Sequence, residues 1–237
     1  MKSKKPVIEL KDVWKIYQMG DVEVKALRGL NIVVNKGEFV SIMGPSGSGK
    51  STAVNMVGCL DVQTKGQVIL DGKDISTLYE SELAQIRGKK IGFIFQKFNL
   101  INTLTAIENV MLPMTFQNVD PDERYDKALK LLNLVELGER INHRPNELSG
   151  GQQQRVAIAR SLSNDPEVII ADEPTGNLDS KTGNIVMEFL EKMNKEEGKT
   201  IILVTHDEEV ASVAHRTEHL KDGVIVKKVN NGKKRGK

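Results

Sequence analysis

The sequence has little of what would place a protein outside the cell or in a membrane. Cys59 is its only cysteine, so no disulfide can form within the chain and a disulfide scaffold is excluded. No apolar run approaches the roughly 20 residues that a membrane-spanning helix needs. The first residues, MKSKKP, have no apolar stretch behind their lysines. We therefore expect a cytoplasmic chain without a membrane span or a secretory signal.

An excess of charge of one sign is also missing. The 237 residues contain 34 basic and 32 acidic side chains, with a formal net charge of +2. This balance gives no electrostatic reason to expect nucleic-acid binding. Aromatic residues make up only 4%, but the hydrophobic fraction of 39% is ordinary and excludes a disordered chain. The length is sufficient for one sizeable core, or for one core that carries a subdomain.

Short apolar runs rich in Val and Ile alternate with longer helical patterns, which predicts an α/β fold with a mostly parallel sheet. The strands predicted for this sheet are 39–43, 91–96, 168–171 and 200–205. Nearly every residue in the first and the last two of them is apolar, as in strands buried on both faces. An antiparallel β portion is predicted from three segments separated by turn residues, 7–17, 22–34 and 68–70. The pair Asp222-Gly223 predicts a hairpin near the end.

Residues 97–165 are mostly helical in pattern, with helices predicted over 122–134 and 152–162. Their place between two α/β segments predicts an inserted helical subdomain. The single domain would then have a nucleotide-binding α/β core with the antiparallel portion, 1–96 and 166–237, and a helical subdomain, 97–165. The polar, basic residues from Lys227 onward are interpreted as a solvated, frayed tail. Weak attachment to an anionic membrane surface is the alternative.

Residues 44–51, GPSGSGKS, match the pattern G-x-x-x-x-G-K-[ST] between a predicted strand and a helix-competent segment. Glycines let backbone N–H groups curl around phosphate oxygens, and the following helix points its positive end at the same anion. Lys50 can reach the β- and γ-phosphates of a nucleotide, and the Ser51 hydroxyl can bind Mg²⁺. Adenine is favoured because no N-K-x-D guanine motif is present. The predicted nucleotide-binding residues of this segment are Gly44, Pro45, Ser46, Gly47, Ser48, Gly49, Lys50, Ser51 and Thr52.

Two carboxylates, Asp172 and Glu173, follow the hydrophobic strand 168–171. If this strand lies beside the one before the phosphate loop, Asp172 would hold Mg²⁺ through water and Glu173 would orient or deprotonate the attacking water. A loop cap or a solvated turn is the alternative interpretation of paired acids after a strand.

The segment 148–152, LSGGQ, contains an S-x-x-Q capping box formed by Ser149 and Gln152. The intervening Gly150 and Gly151 are unfavourable in a first helical turn unless something must approach the backbone closely. A capped helix N-terminus with bare glycines predicts an anion site.

These motifs occur in the same order as in a known family. Residues 8–226 closely resemble the nucleotide-binding domains of the ATP-binding cassette (ABC) family. LSGGQQQRVAIAR looks like the signature segment of that family, Gly44–Ser51 like its Walker A loop and Ile169–Asp172 like its Walker B strand. The resemblance implies a role for each of five further residues. They are Glu173 as the catalytic base, Gln96 as the Q-loop Mg²⁺ ligand and permease contact, Asp179 in the D-loop, His206 as the switch histidine on the γ-phosphate, and Tyr17 as the aromatic that stacks on adenine.

Three of these residues have simpler interpretations that stay open. Gln96 could be a polar residue that ends a strand, and His206 could cap the helix predicted after it. Tyr17 could be a packing residue, with Trp14 as its competitor for the adenine. The other histidines show no metal-ligand spacing and are interpreted as structural or surface residues.

The resemblance implies an ATP-hydrolysing motor subunit of an ABC transporter, with ATP and Mg²⁺ as cofactors. Two copies would close head to tail around two ATP, and Ser149–Gln152 of each copy would contact the ATP bound by the other. The partners would be a second copy and a separate transmembrane permease, at the cytoplasmic face of the cell membrane. FNLINTLTAIENVMLP and DEPTGNLDS look like the lipoprotein-release, macrolide-export and cell-division branch. A soluble ABC-type ATPase without a transport role and a nucleotide-gated clamp are the alternatives.

Overall fold

The computed structural model describes residues 6–232. The last five residues of the predicted basic tail, 233–237, lie outside this range, as do residues 1–5. The described chain divides into two compact units, residues 6–83 with 191–232 and residues 84–190. The architecture confirms the predicted α/β class, with parallel strands at the centre and a separate antiparallel sheet.

The described residues form ten strands, seven α-helices and three short 3-10 turns. The strands are β1 (Pro6–Met19), β2 (Val22–Asn35), β3 (Phe39–Met43), β4 (Lys65–Leu70), β5 (Lys73–Asp74), β6 (Ile91–Phe95), β7 (Val168–Asp172), β8 (Thr200–Thr205), β9 (Arg216–Lys221) and β10 (Val224–Asn230). The helices are α1 (Lys50–Val57), α2 (Glu80–Lys90), α3 (Ala106–Thr115), α4 (Pro121–Leu134), α5 (Gly150–Leu162), α6 (Ser180–Lys195) and α7 (Glu208–Ala211).

The antiparallel sheet of the first unit has the strand order β2-β1-β4-β5. β1 and β2 form a long hairpin in which Met19 pairs with Val22. Apolar residues are buried at intervals along β2, at Leu27, Leu30, Ile32 and Val34, with exposed or partly exposed positions between them. This pattern is typical of a sheet that packs one face against a core.

The first unit also contains a second set of strands in the order β10-β9-β3-β8. β3 lies between β8 and β9 and is parallel to both, while β10 is antiparallel to β9. All six residues of β8 and the first four of β3 are buried, which confirms burial on both faces. Met43 pairs with Thr205, so Gly44 and His206 leave the sheet at the same edge.

The second unit contains the parallel strands β6 and β7 together with helices α3, α4 and α5. Gly92 in β6 permits close packing of α5, because a Cβ atom there would lie 2.3 Å from the carbonyl oxygen of Ser161. Phe95 pairs with Asp172 at the carboxyl ends of the two strands. Gln96 and Glu173 therefore follow neighbouring strands at one edge.

Three local predictions are corrected. The signature helix begins at Gly150 and not at Gln152, because Ser149 is its N-cap. The helix predicted after His206 is a single turn, Glu208–Ala211. Lys227 and Lys228 belong to β10 and not to a frayed tail, since they pair with β9 residues.

A partly buried ion cluster joins β9 to the segment between β2 and β3. Arg216 Nε donates to Glu38 Oε1 at 2.7 Å, and the same guanidinium binds the fully buried Glu218. Burial alone would raise the pKa of Glu38, but hydrogen bonds from Arg216 and Asn35 outweigh burial and lower this pKa. The Glu38 carboxylate is therefore stabilised in its charged form.

We expect Glu38→Gln to destabilise the protein by about 1.5–3 kcal/mol near neutral pH, because the amide keeps the shape and loses the charged hydrogen bonds. Since the folded-state pKa is lowered, the wild-type advantage is present above the unfolded-state pKa of about 4.3 and is lost as the pH falls through the folded-state value. Urea unfolding at about pH 7 and about pH 3 measures the difference, with Glu188→Gln at an exposed helix position as the control. An equal difference at both pH values would contradict this account.

Candidate nucleotide-binding site

The phosphate loop connects β3 to α1 in the predicted strand–loop–helix order. Lys50 is the first residue of α1, and its ammonium donates to the carbonyl oxygens of Gly44 at 2.6 Å and Pro45 at 2.9 Å. Gly49 caps the helix with a φ of 100°, a conformation that favours glycine. No acidic residue lies in the first turn of α1, so its positive end is not neutralised by its own side chains.

Two glycines of the loop are needed because neighbouring backbone leaves no room for a side chain, and not only because phosphate must reach the loop. A Cβ atom on Gly44 would lie 2.2 Å from the carbonyl oxygen of Leu220, and one on Gly49 would lie 2.6 Å from that of Ala26. A Cβ atom on Gly47, by contrast, would have no other atom within 4 Å, so this residue borders open space. The loop is therefore fixed at both ends and open between them.

A cavity of about 550 Å³ lies over the loop. The cavity is lined by three segments of the first unit: part of the loop and the start of α1, part of β2, and the β9–β10 turn. The lining residues are Ser46, Gly47, Gly49, Lys50, Ser51, Thr52, Glu23, Val24, Lys25, Ala26, Arg28, Asp222 and Gly223. Three cationic side chains and three hydroxyls among them suit a polyphosphate. Lys25 and Arg28 are not among the predicted site residues, because no local pattern in the sequence marks them.

His206 follows β8 directly and is exposed at the edge where the phosphate loop begins. Tyr17 is partly buried in β1 but is not among the residues that line the cavity. Its hydroxyl donates to Asp61 at 3.1 Å, and the ammonium of Lys15 lies 5.0 Å from its ring centroid. Burial and the Asp61 carboxylate raise the pKa of Tyr17 against an opposing hydrogen bond with Thr52. Its role at adenine stays a prediction.

The alternative aromatic residue and a second histidine have structural partners. Trp14 Nε1 donates to Asp12 Oδ1 at 3.2 Å. The backbone N–H of Phe39 donates to His215 Nδ1 at 3.1 Å. The bond from Phe39 agrees with the structural role that the sequence predicted for His215.

The second unit places Gln96 against the loop that follows Glu173. Asn177 Nδ2 donates to the carbonyl oxygen of Gln96 at 2.8 Å. A Cβ atom on Gly176 would lie 2.9 Å from Gln96 Nε2, so glycine leaves room for this side chain. Gln96 and the predicted D-loop segment are thereby held in contact.

Glu173 adopts a left-handed backbone conformation, with a φ of 47°. This region is uncommon for a glutamate, and it turns the chain sharply at the end of β7. The next residue is anchored by the signature helix, because the fully buried Gln154 donates from Nε2 to the carbonyl oxygen of Pro174 at 2.7 Å. The turn after β7 is therefore held by α5.

The predicted capping box at the start of α5 is confirmed. The Gln152 N–H donates to Ser149 Oγ at 3.3 Å, and the Ser149 N–H donates to Gln152 Oε1 at 2.9 Å. Ser149 and Gly150 are exposed at this helix N-terminus. An exposed, capped helix start with a glycine is able to receive an anion.

Gly151 has a packing role that the sequence did not reveal. A Cβ atom there would lie 2.6 Å from Thr182 Cγ2 in α6. The Thr182 backbone N–H and hydroxyl donate to the carboxylate of Asp179 at 3.0 and 2.7 Å and lower the pKa of Asp179. Thr182 thus connects Asp179 to the signature helix.

Among residues 6–232, no group of three or more His, Cys, Asp or Glu side chains could hold a metal ion. Within the same range, every helix is too short or too polar to cross a membrane. A divalent ion at this protein would need hydroxyl, water or phosphate oxygens among its ligands, which is how Mg²⁺ binds in many nucleotide sites.

Comparison with known proteins identifies the family. A model described as ABC transporter matches residues 27–176. An ABC transporter ATP-binding protein of Thermotoga maritima is 54% identical over 93% of this chain and 94% of its own length. The macrolide export ATP-binding/permease protein MacB of Bdellovibrio bacteriovorus is 51% identical over 92% of this chain, which matches 33% of MacB.

Solved structures give the same result. The ATP-binding cassette MJ0796, from Methanocaldococcus jannaschii, has a dimeric structure of a post-hydrolysis state bound to ADP and Pi. It aligns with a TM-score of 0.89 and 50% identity over 97% of this chain and 100% of that chain. The chain therefore belongs to the ABC transporter family and is one of its ATPases.

We expect Gly151→Ala to destabilise the protein by about 1–3 kcal/mol, because the new methyl group meets Thr182 Cγ2. Thr182→Ser removes that atom and keeps the hydroxyl bond to Asp179, so the double variant should lose less stability than the two single variants together. Gly150→Ala is the control, since its Cβ atom would make only an ordinary contact, 3.8 Å from Phe98. Urea unfolding of the wild type, the two single variants, the double variant and the control measures these free energies; additive losses would contradict the proposed contact.

Proposed function

We propose that this ATPase is the motor subunit of an ABC transporter, closing as a dimer around two ATP to drive a separate membrane subunit. The observation that carries this proposal is the cavity over the phosphate loop, with Lys50 beside Gly44 and Pro45 and with no acidic residue in the first turn of α1 to neutralise its positive end. A 50% identical cassette whose structure contains ADP and Pi supports the same use of the fold.

The first unit supplies the groups that bind the phosphates. On ATP binding, the Lys50 ammonium would exchange its two loop carbonyls for β- and γ-phosphate oxygens. The other proposed nucleotide ligands are Gly44, Pro45, Ser46, Gly47, Ser48, Gly49, Ser51 and Thr52, with Tyr17 at the adenine. The Ser48 hydroxyl is consistent with this, since it is buried and has no hydrogen-bond partner in residues 6–232.

Mg²⁺ fits the donor set, because the phosphates of ATP and water can supply the oxygen ligands that no cluster of acidic side chains in residues 6–232 provides. Ser51, Gln96 and Asp172 are its proposed ligands, with Asp172 acting through water. The ion would neutralise charge on the transferred phosphoryl group. Glu173 would accept the proton of the attacking water, and His206 would contact the γ-phosphate.

The exposed start of α5 is proposed as the contact with ATP on a second copy. Ser149 and Gly150 present a helix N-terminus at the surface, and Gly151 and Gln152 hold that terminus in place. The solved relative MJ0796 is dimeric. A head-to-tail pair would place each signature segment on the γ-phosphate of the other copy, and the D-loop with Asp179 would lie at the same interface.

Transport requires a membrane partner, and the relatives suggest its kind. MacB is an ATP-binding/permease protein, so in that relative the cassette and the permease share one chain. We propose that this chain binds a separate permease at the cytoplasmic face of the membrane, through Gln96 and the helical subdomain 97–165. The core would then be residues 1–96 and 166–237.

We expect Lys50→Ala to weaken ATP binding by roughly 10- to 150-fold, because charge-assisted contacts of this kind are worth about 1.5–3 kcal/mol. Titration with a fluorescent ATP analogue measures the loss, and thermal unfolding verifies that the fold is intact. Lys65→Ala, at an exposed position of β4, is the matched control. If Lys50→Ala bound and hydrolysed ATP like the wild type, the phosphate-loop assignment would be wrong.

We expect Glu173→Gln to stop hydrolysis while ATP affinity survives, since the amide keeps the size of glutamate and loses its basicity. The ATP-bound dimer should then accumulate with ATP and not with ADP, which lacks the γ-phosphate that joins the copies. Light scattering with each nucleotide measures the dimer. A monomer at saturating ATP and Mg²⁺, or an equal dimer fraction with ADP, would overturn the shared-site proposal.

Adding Ser149→Arg to that variant is the control for the signature contact. The bulky cation lies at the proposed contact and leaves the phosphate loop unchanged. The dimer should disappear while ATP binding by the monomer stays the same. A persisting ATP-dependent dimer would place the interface elsewhere.

A further inference from the structure

The turn between β9 and β10 is bonded to the phosphate loop through one residue. The Gly223 N–H donates to the carbonyl oxygen of Ser48 at 2.9 Å. The Gly223 carbonyl oxygen accepts from the Arg28 N–H in β2, also at 2.9 Å. Both backbone groups of this glycine are therefore used to connect the phosphate loop with β2.

The space around this connection admits no side chain. A Cβ atom on Gly223 would lie 2.7 Å from the carbonyl oxygen of Ala26 and 3.1 Å from the Cα atom of Leu27. A Cβ atom on Gly49 would meet the same Ala26 oxygen at 2.6 Å. Three segments that are distant in sequence thus meet around one carbonyl group, with Gly49 and Gly223 both close to it.

The same hairpin contacts the start of the phosphate loop. Leu220 in β9 lies so close to Gly44 that a Cβ atom on Gly44 would be 2.2 Å from the Leu220 oxygen. The hairpin therefore restrains the loop at Gly44 and again at Ser48. The hairpin contacts the loop through backbone atoms. The sequence therefore predicted the hairpin but not its contact with the phosphate loop.

We propose that the β9–β10 turn is a brace that holds the phosphate loop in its nucleotide-binding shape, with Gly223 as the positioning residue. This inference rests on the proposed binding of ATP at the loop. A loop that is already ordered loses less conformational freedom on binding, so the brace raises nucleotide affinity. By thermodynamic reciprocity, bound nucleotide stabilises the hairpin.

The chain contains a matched control for this glycine. Asp71-Gly72 forms the turn between β4 and β5 with φ angles of 50° and 82°, and Asp222-Gly223 has 49° and 80°. Replacing either glycine by alanine causes the same positive-φ strain. Only the alanine at 223 meets backbone atoms, because a Cβ atom on Gly72 has nothing within 4 Å.

The test compares Gly223→Ala with Gly72→Ala in titrations with a fluorescent ATP analogue. We expect Gly223→Ala to weaken binding by at least about tenfold and Gly72→Ala by less than about twofold, while thermal unfolding shows that both variants are folded. Equal affinities of the two folded variants would overturn the brace. Failure of the wild type to bind ATP would instead overturn the proposed function.

Hydrogen exchange of the wild type keeps the proposal testable if Gly223→Ala does not fold. ADP binding should slow amide exchange along β10, whose residues do not line the cavity, and leave the amides of the β4–β5 turn unchanged. Unchanged exchange in β10 at saturating ADP would show that the loop and the hairpin are not coupled, and would overturn the proposal.

Discussion

The close approach of backbone to backbone around the phosphate loop is the constraint on which the nucleotide cavity depends. Gly44 and Gly49 lie against carbonyl oxygens of β9 and β2, at distances that exclude a Cβ atom. These contacts fix the two ends of the loop, and the open space at Gly47 lies between them. Glycine therefore serves two purposes in this motif: it lets the loop pack against its neighbours, and it leaves the N–H groups accessible to an anion.

The second unit uses the same principle at the signature helix. Gly151 lets α5 approach Thr182 in α6, and Thr182 in turn binds Asp179. On the same helix, Gln154 holds the turn after Glu173 through the Pro174 carbonyl. The residues proposed to act at the γ-phosphate of the second copy and at the attacking water are thus positioned by contacts with one helix.

The parts of the site that could be predicted from the sequence are those encoded within a few residues. The phosphate loop, the capping box at Ser149 and the buried strands have local patterns, and the structure contains them. Lys25 and Arg28 could not be found, since they line the cavity only because β2 packs near the loop.

The predictions that the structure corrects were wrong for a similar reason. The polar sequence around Lys227 and Lys228 predicts a frayed tail, but pairing with β9 places both residues in a strand. The helix predicted over 152–162 leaves out Gly150 and Gly151, which are poor helix formers. The cap at Ser149 and the packing of Gly151 outweigh that propensity, and neither the packing partner nor its distance is visible in the sequence.

The central claim is that each ATP site combines the phosphate loop of one copy with the signature segment of another. The most direct measurement is the ATPase activity of a mixture of Lys50→Ala and Ser149→Arg proteins, each inactive alone. A mixed dimer has one site with an intact loop from one copy and an intact signature from the other. The account predicts that the mixture hydrolyses ATP faster than the sum of the two separate proteins. A mixture no more active than that sum, although mixed dimers form, would contradict it.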